Sequence, residues 1–135
     1  QSFQLGAVRG MFGQNKPAEW VRLKKWLKKQ PKVKKMIGLG GNIRAFLKIC
    51  NTNMMVTSDF KCHSMELEKL TTHEKIEKHN LAMDRADVID NALKIYLEIA
   101  KILEVKNIES TRWGVADSIA VKIFHELYSS KISIF

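Results

Sequence analysis

Apolar positions along the chain recur with two periods. Phe3, Leu5 and Ala7 alternate with other residues ahead of Gly10 and Gly13, and this period of two predicts a strand over Ser2–Arg9. Pro17 suits the first turn of a helix, where its missing N–H costs nothing. That helix is expected to run to about Gln30 and stop before Pro31. Trp20, Leu23 and Leu27 fall on one of its faces with Trp26 beside them, so the tryptophans are expected in packing rather than as base-stacking platforms. Lys35–Leu39 predicts a short strand that runs into Gly38-Leu39-Gly40-Gly41. A helix follows from about Asn42, with Ile43, Phe46, Leu47 and Cys50 inward.

Asn51–Ser64 shows no clear period and is expected as a loop. Met65–Leu70 and Thr72–Asn80 predict two short helices, the second opened by a threonine cap with acids in its first turn. Asp84–Glu104 is the longest predicted helix. Its apolar residues, among them Val88, Ile89, Leu93, Tyr96 and Leu97, cover more than one face, which is the mark of a helix packed between neighbours. Val105–Ser110 predicts a strand and Val115–Tyr128 a last helix with Ile119, Ile123, Phe124 and Leu127 inward. Ser129–Phe135 is expected to fray or add a sheet edge.

This order predicts an α/β lobe with a short, mainly parallel sheet and flanking helices. Strands 35–39 and 105–110 are expected to run parallel, joined by helical crossovers. Three strands make a thin sheet for a free-standing lobe. The chain also opens with Gln1 and carries a structured pattern from its first residues. Both features lead to the expectation of one fragmentary lobe over 1–135 whose upstream strands and domain lie outside it.

Composition adds bounds. The 135 residues are 45% apolar and 27% charged, a globular balance. No run approaches the ~18 apolar residues of a transmembrane helix, and the N-terminus lacks a signal-peptide pattern. No membrane association is therefore expected. Cys50 and Cys62 make no disulfide framework, which fits a reducing, cytoplasmic setting. The net charge of +9 is unevenly placed. Residues 1–50 carry twelve Lys/Arg against one acid, Glu19, whereas the remainder is slightly acidic. Lys24, Lys25, Lys28, Lys29, Lys32, Lys34 and Lys35 form one basic run. Such a run either attracts polyanions or is simply a solvated helix face.

The chemistry-bearing motif is Gly38-Leu39-Gly40-Gly41, where a strand feeds a helix. Glycines there allow a tight bend and a close ligand approach, and the helix N-terminus offers free N–H groups to phosphate oxygens. Arg44, one turn in, adds a charged donor. The motif lacks the full dinucleotide fingerprint and the Gly-Lys-Ser/Thr of a Walker loop. His63, His73, His79 and His125 have no metal-like spacing with the cysteines. No nucleophile triad is evident.

Four stretches, in one order, resemble the exopolyphosphatase/guanosine pentaphosphate phosphohydrolase family. Phe3-Gln4-Leu5-Gly6-Ala7-Val8-Arg9 is similar to its "S-x-x-L-G-A-V-R" strand, and Ile37–Ala45 to its "G-x-G-G-T-x-R-A" turn. Met83–Ile89 is similar to its "x-x-R-A-D-V-I" helix start, and Gly114–Ser118 to its closing "G-L-R-E-G". The resemblance covers roughly residues 2–128. It implies a partial ribonuclease-H-like lobe of the actin-like ATPase superfamily, namely the later part of the second lobe. It also implies a hydrolase that releases the terminal phosphate of polyphosphate or guanosine pentaphosphate with Mg²⁺. The catalytic glutamate and first phosphate loop would lie outside these residues, so the fragment itself is expected to be inactive, with no metal of its own.

On this basis Gly40, Gly41, Asn42 and Arg44 are expected to face phosphate, with Arg9 and Arg85 as further cleft residues. Lys24, Lys25, Lys28 and Lys29 are expected to draw polyanions in. Asn42 replaces the family's threonine, and Ala116, Asp117 and Ser118 replace Arg-Glu-Gly. Those departures motivate an alternative, a non-catalytic sensor of phosphorylated nucleotides. A basic nucleic-acid-binding module is the other. The missing part of the same protein and a second copy are the expected protein partners.

Overall fold

The computed structural model describes residues 1–128, and the tail from Ser129 to Phe135 lies outside them. The elements are α1 (Ala7–Met11), α2 (Pro17–Leu27), β1 (Lys35–Gly38), α3 (Gly41–Ile49), β2 (Met54–Val56) and α4 (Thr57–Glu68). They continue with α5 (Thr72–His79), α6 (Met83–Ala86), α7 (Ile89–Leu103), β3 (Asn107–Ser110) and α8 (Val115–Tyr128). The sheet has the order β1-β3-β2. β1 and β3 are parallel, as the sequence predicts, and β2 is antiparallel to β3. The sheet is thus mixed rather than mainly parallel.

The register explains where the core sits. Met36, Ile108 and Met55 stand in one row across the strands. Ile108 is fully buried and the two methionines pack on the core formed with α3, α4 and α7. The next row, Ile37, Glu109 and Met54, points to the other face, which is largely open to solvent. In the core, Phe46 and Phe60 meet edge-on with centroids 4.7 Å apart, and both are at most 1% exposed. The long apolar α7 packs against α1, α2, α3 and α4, as its wide apolar surface requires. Buried Lys75 is neutralised by Asp90 at 2.5 Å, which ties α5 to the start of α7.

Several expectations are corrected. Ser2–Arg9 is not a strand: residues 1–6 are irregular and Ala7–Met11 form a helical turn against α7. Alternation over three apolar residues has no neighbouring strand to pair with, and the Asn15 side chain both accepts from the Gly6 N–H and donates to the Gly6 carbonyl, fixing the chain there. Asn51–Ser64 is not a loop but contains β2 and most of α4, and Met65–Leu70 is the end of α4. Only Phe60, Ser64 and Leu67 turn inward along α4, too sparse a stripe to announce itself. The long helix is split near Val88 into α6 and α7. Finally, Ile119, Ile123, Phe124 and Leu127 on α8 are all about half exposed rather than inward.

Candidate phosphate site at the glycine bend

The bend is built by its glycines and by α7. Gly38 is buried, and a Cβ there would lie 2.9 Å from both Ile43 and the Tyr96 ring. Close packing thus excludes a side chain at the end of β1. The chain then turns out through Leu39, whose carbonyl accepts a hydrogen bond of 3.1 Å from the Tyr96 hydroxyl. Gly40 has φ 107° and ψ 175°, a region open essentially to glycine alone. α3 begins at Gly41 with no side chain capping it. The N–H groups of its first turn therefore lack a side-chain acceptor and carry the positive end of the helix dipole.

One arginine lies at this helix start and two more lie beyond it. Arg85 comes from α6, and its guanidinium lies against the Cα of Gly41, filling the space a Cβ would need. Among the described residues no carboxylate sits within ion-pairing distance of Arg85, Arg44 or Arg112. Arg44 reaches across from α3 and donates from Nη1 to the Arg112 carbonyl at 3.2 Å. This bond joins α3 to the loop after β3. Because β1 and β3 are parallel, their carboxyl ends, Gly38 and Ser110, meet at this edge. That edge is where open α/β sheets bind ligands.

Three cavities lie along α3. One of about 970 Å³ is lined by Arg44, Lys48, Arg112, Thr52, Asn53 and Trp113, among others. A second of about 470 Å³ holds Lys48, Lys78, His79 and Arg85. A third of about 320 Å³ holds Leu39, Gly40, Gly41 and Asn42 beside Tyr96. Two similar-looking helix starts behave differently. At α8 the Gly114 N–H is already bound to Asp117 Oδ2 at 2.6 Å, and Ser118 Oγ donates back to the Gly114 carbonyl. The residues that replace the family's Glu-Gly thus close their own helix start, whereas α3 stays open.

The structure therefore brings Gly40, Gly41 and Asn42 together with Arg85 at the start of α3, whereas Arg44 lines a separate cavity with Arg112. Arg9, on α1, lines none of these cavities, although its neighbour Ala7 does. Lys24, Lys25, Lys28 and Lys29 stand on α2 and its end, and none of them lines a cavity at the bend. Lys48 and Trp113 lie outside the sequence motifs yet line the larger cavity beside Arg44. Lys48 follows Arg44 by four residues on the same helix face, a signal that was available. Among the described residues no group of three or more His, Cys, Asp or Glu is placed to hold a metal ion. The donors at the bend are arginine and backbone N–H groups, which suit anions and do not fit a divalent cation. No described helix is long and apolar enough to cross a membrane.

No protein-family model and no curated protein matches the chain. Solved structures do. The type II variant of the Aquifex aeolicus Ppx/GppA phosphatase matches with a TM-score of 0.70 at 19% identity, over 90% of this chain and 48% of that one. An Aquifex aeolicus member of the Ppx/GppA protein family matches with a TM-score of 0.72 at 18% identity, over 91% and 47%. An Aquifex aeolicus PPX-GPPA enzyme matches with a TM-score of 0.61 at 20% identity, over 80% and 42%. The chain spans about half the length of these structures. Its α/β fold is that of part of a Ppx/GppA phosphatase, so the resemblance carried by the four sequence motifs has a counterpart in three dimensions.

Proposed function

We propose that this chain is the phosphate-holding part of a phosphoanhydride hydrolase of the Ppx/GppA type, acting on the terminal phosphate of polyphosphate or guanosine pentaphosphate. The observation that carries the reading is the open start of α3 with the Arg85 guanidinium laid on Gly41 and free of any carboxylate. Such a site has fixed N–H donors and an adjacent cation where a phosphoryl group develops charge, and preorganised N–H donors of that kind stabilise phosphoryl transfer. Arg44, held by the Arg112 carbonyl, supplies a second cation on the flank. In this reading the attacking water, its carboxylate base and the Mg²⁺ belong to the rest of the enzyme, and the segment alone is inactive.

The test is phosphate release by the full-length protein from polyphosphate and from guanosine pentaphosphate. Arg85→Ala is expected to lower the rate by about 10²–10³-fold, the usual effect of removing one charge-stabilising donor. Unchanged turnover in Arg85→Ala would remove the bend from the active site. Binding of either substrate without turnover would instead favour a sensor of phosphorylated nucleotides.

A further inference from the structure

A second cationic site lies at the opposite end of the sheet. β2 runs antiparallel to β3, so its end at Val56 pairs with Asn107, the start of β3. α4 leaves from there beside α2 and α7. The three helices enclose a groove of about 780 Å³, within the roughly 300–1,000 Å³ of small-molecule sites. Trp20 from α2 and Leu97 from α7 form apolar wall, and Lys24, Lys61, Lys94 and Lys101 converge on it from all three helices.

The charges do not cancel. Lys24 pairs with Glu98 at 3.1 Å and Lys94 with Glu68 at 2.7 Å. Lys61 and Lys101 have no carboxylate within ion-pairing distance among the described residues. Glu98 is the only acid lining the groove, and it is already paired. The start of α4 contributes little, because the Thr57 N–H and hydroxyl are bound to the carbonyls of Lys106 and Val105. What remains is an aromatic wall beside two free ammonium groups. Trp20, expected from sequence purely in packing, is only half-buried and lines this groove.

We propose that the groove is an accessory site for a nucleoside polyphosphate, with the base against Trp20 and the phosphates bridging Lys61 and Lys101. An inorganic phosphate chain has no apolar body to place on Trp20 and Leu97. A purely apolar ligand leaves the two lysines unanswered. Lys25 on the same helix, and Lys28 and Lys29 just past its end, are exposed and add to the positive field that draws an anion to this side.

The test keeps this site separate from the glycine bend. Binding of GTP, tripolyphosphate and pentauridylate to the full-length protein is measured by calorimetry in an Arg85→Ala background, where the bend is impaired. GTP is expected to bind, and Lys61→Glu with Lys101→Glu to weaken it at least tenfold. Both lysines are exposed and unpaired, so the fold survives this change. Trp20→Ala is expected to weaken GTP several-fold and leave tripolyphosphate unchanged. No GTP binding in the Arg85→Ala protein, or binding indifferent to the lysine pair, would overturn the proposal. So would pentauridylate binding more tightly than GTP through the same residues, which would mark a single-strand groove instead. None of these readings depends on phosphate release.

Discussion

Two adjacent glycines at the bend do different work. Gly40 is needed for its backbone: a Cβ there meets nothing within 4 Å, but φ is 107°. Gly40→Ala is therefore expected to cost about 1–3 kcal/mol through strain alone, read as a lowered midpoint of denaturant unfolding. Gly41 has an ordinary helical conformation, yet a Cβ would overlap the Arg85 guanidinium. That group is the far end of a flexible side chain and can swing away. Gly41→Ala is expected to shift stability by less than about 1 kcal/mol while displacing Arg85 and abolishing most phosphate binding at the bend. A Gly41→Ala protein that binds phosphate as before would show that Arg85 has no part in the site.

At the scale of the element, α5 shows how local chemistry sets pH dependence. Thr71 and Glu74 form a reciprocal capping box: the Glu74 carboxylate accepts from the Thr71 N–H at 2.9 Å, and Thr71 Oγ1 accepts from the Glu74 N–H at 3.2 Å. The backbone and hydroxyl donors of Thr71, with Lys78, hold the Glu74 carboxyl down to about 2 from its ordinary 4.5. A carboxyl with a depressed folded pKa stabilises above its unfolded value, and that contribution disappears as pH falls through the folded one. Helicity near 222 nm is expected to drop between about pH 4.5 and 2, and Glu74→Gln to remove that part of the acid response. An identical acid titration in the variant would contradict the assignment. This helix was legible because its start signal is local, as was α2 behind Pro17. The β1–β3 pair was legible because each short segment, with Met36-Ile37 or Ile108 at its centre, lies between stretches of helical period. The mixed sheet was not legible, because β2 has three residues and makes sense only against β3. At the bend, the glycines and Arg44 could be read from the motif. The Arg44 bond to the Arg112 carbonyl, 68 residues away, could not, since tertiary folding alone brings them together.

At the largest scale, the dominant feature among the described residues is exposed apolar surface. The sheet face at Ile37, Met54 and Val56 and the α8 stripe at Ile119, Ile123, Phe124 and Leu127 are each between 44% and 59% exposed. Patches of this kind mark contact surfaces. Replacing Ile119 and Phe124 together by lysine is expected to change unfolding free energy by only about 0.5 kcal/mol each and to reduce concentration-dependent association in sedimentation. Loss of the fold in that variant would show that the stripe is inward after all, as the periodicity of α8 suggested.

The hydroxyl that Tyr96 extends to the Leu39 carbonyl makes the long helix a built-in reporter on the bend. Burial pushes this phenol above its ordinary value of 10. Its stabilising share is thus complete below that value and vanishes as alkalinity carries pH through the higher, folded one. The clasp consequently outlasts the ionisation of any solvent-facing tyrosine. A late tyrosinate absorbance step marks the moment when Leu39 is let go, and a ligand that tightens the bend would push that step to still more alkaline pH.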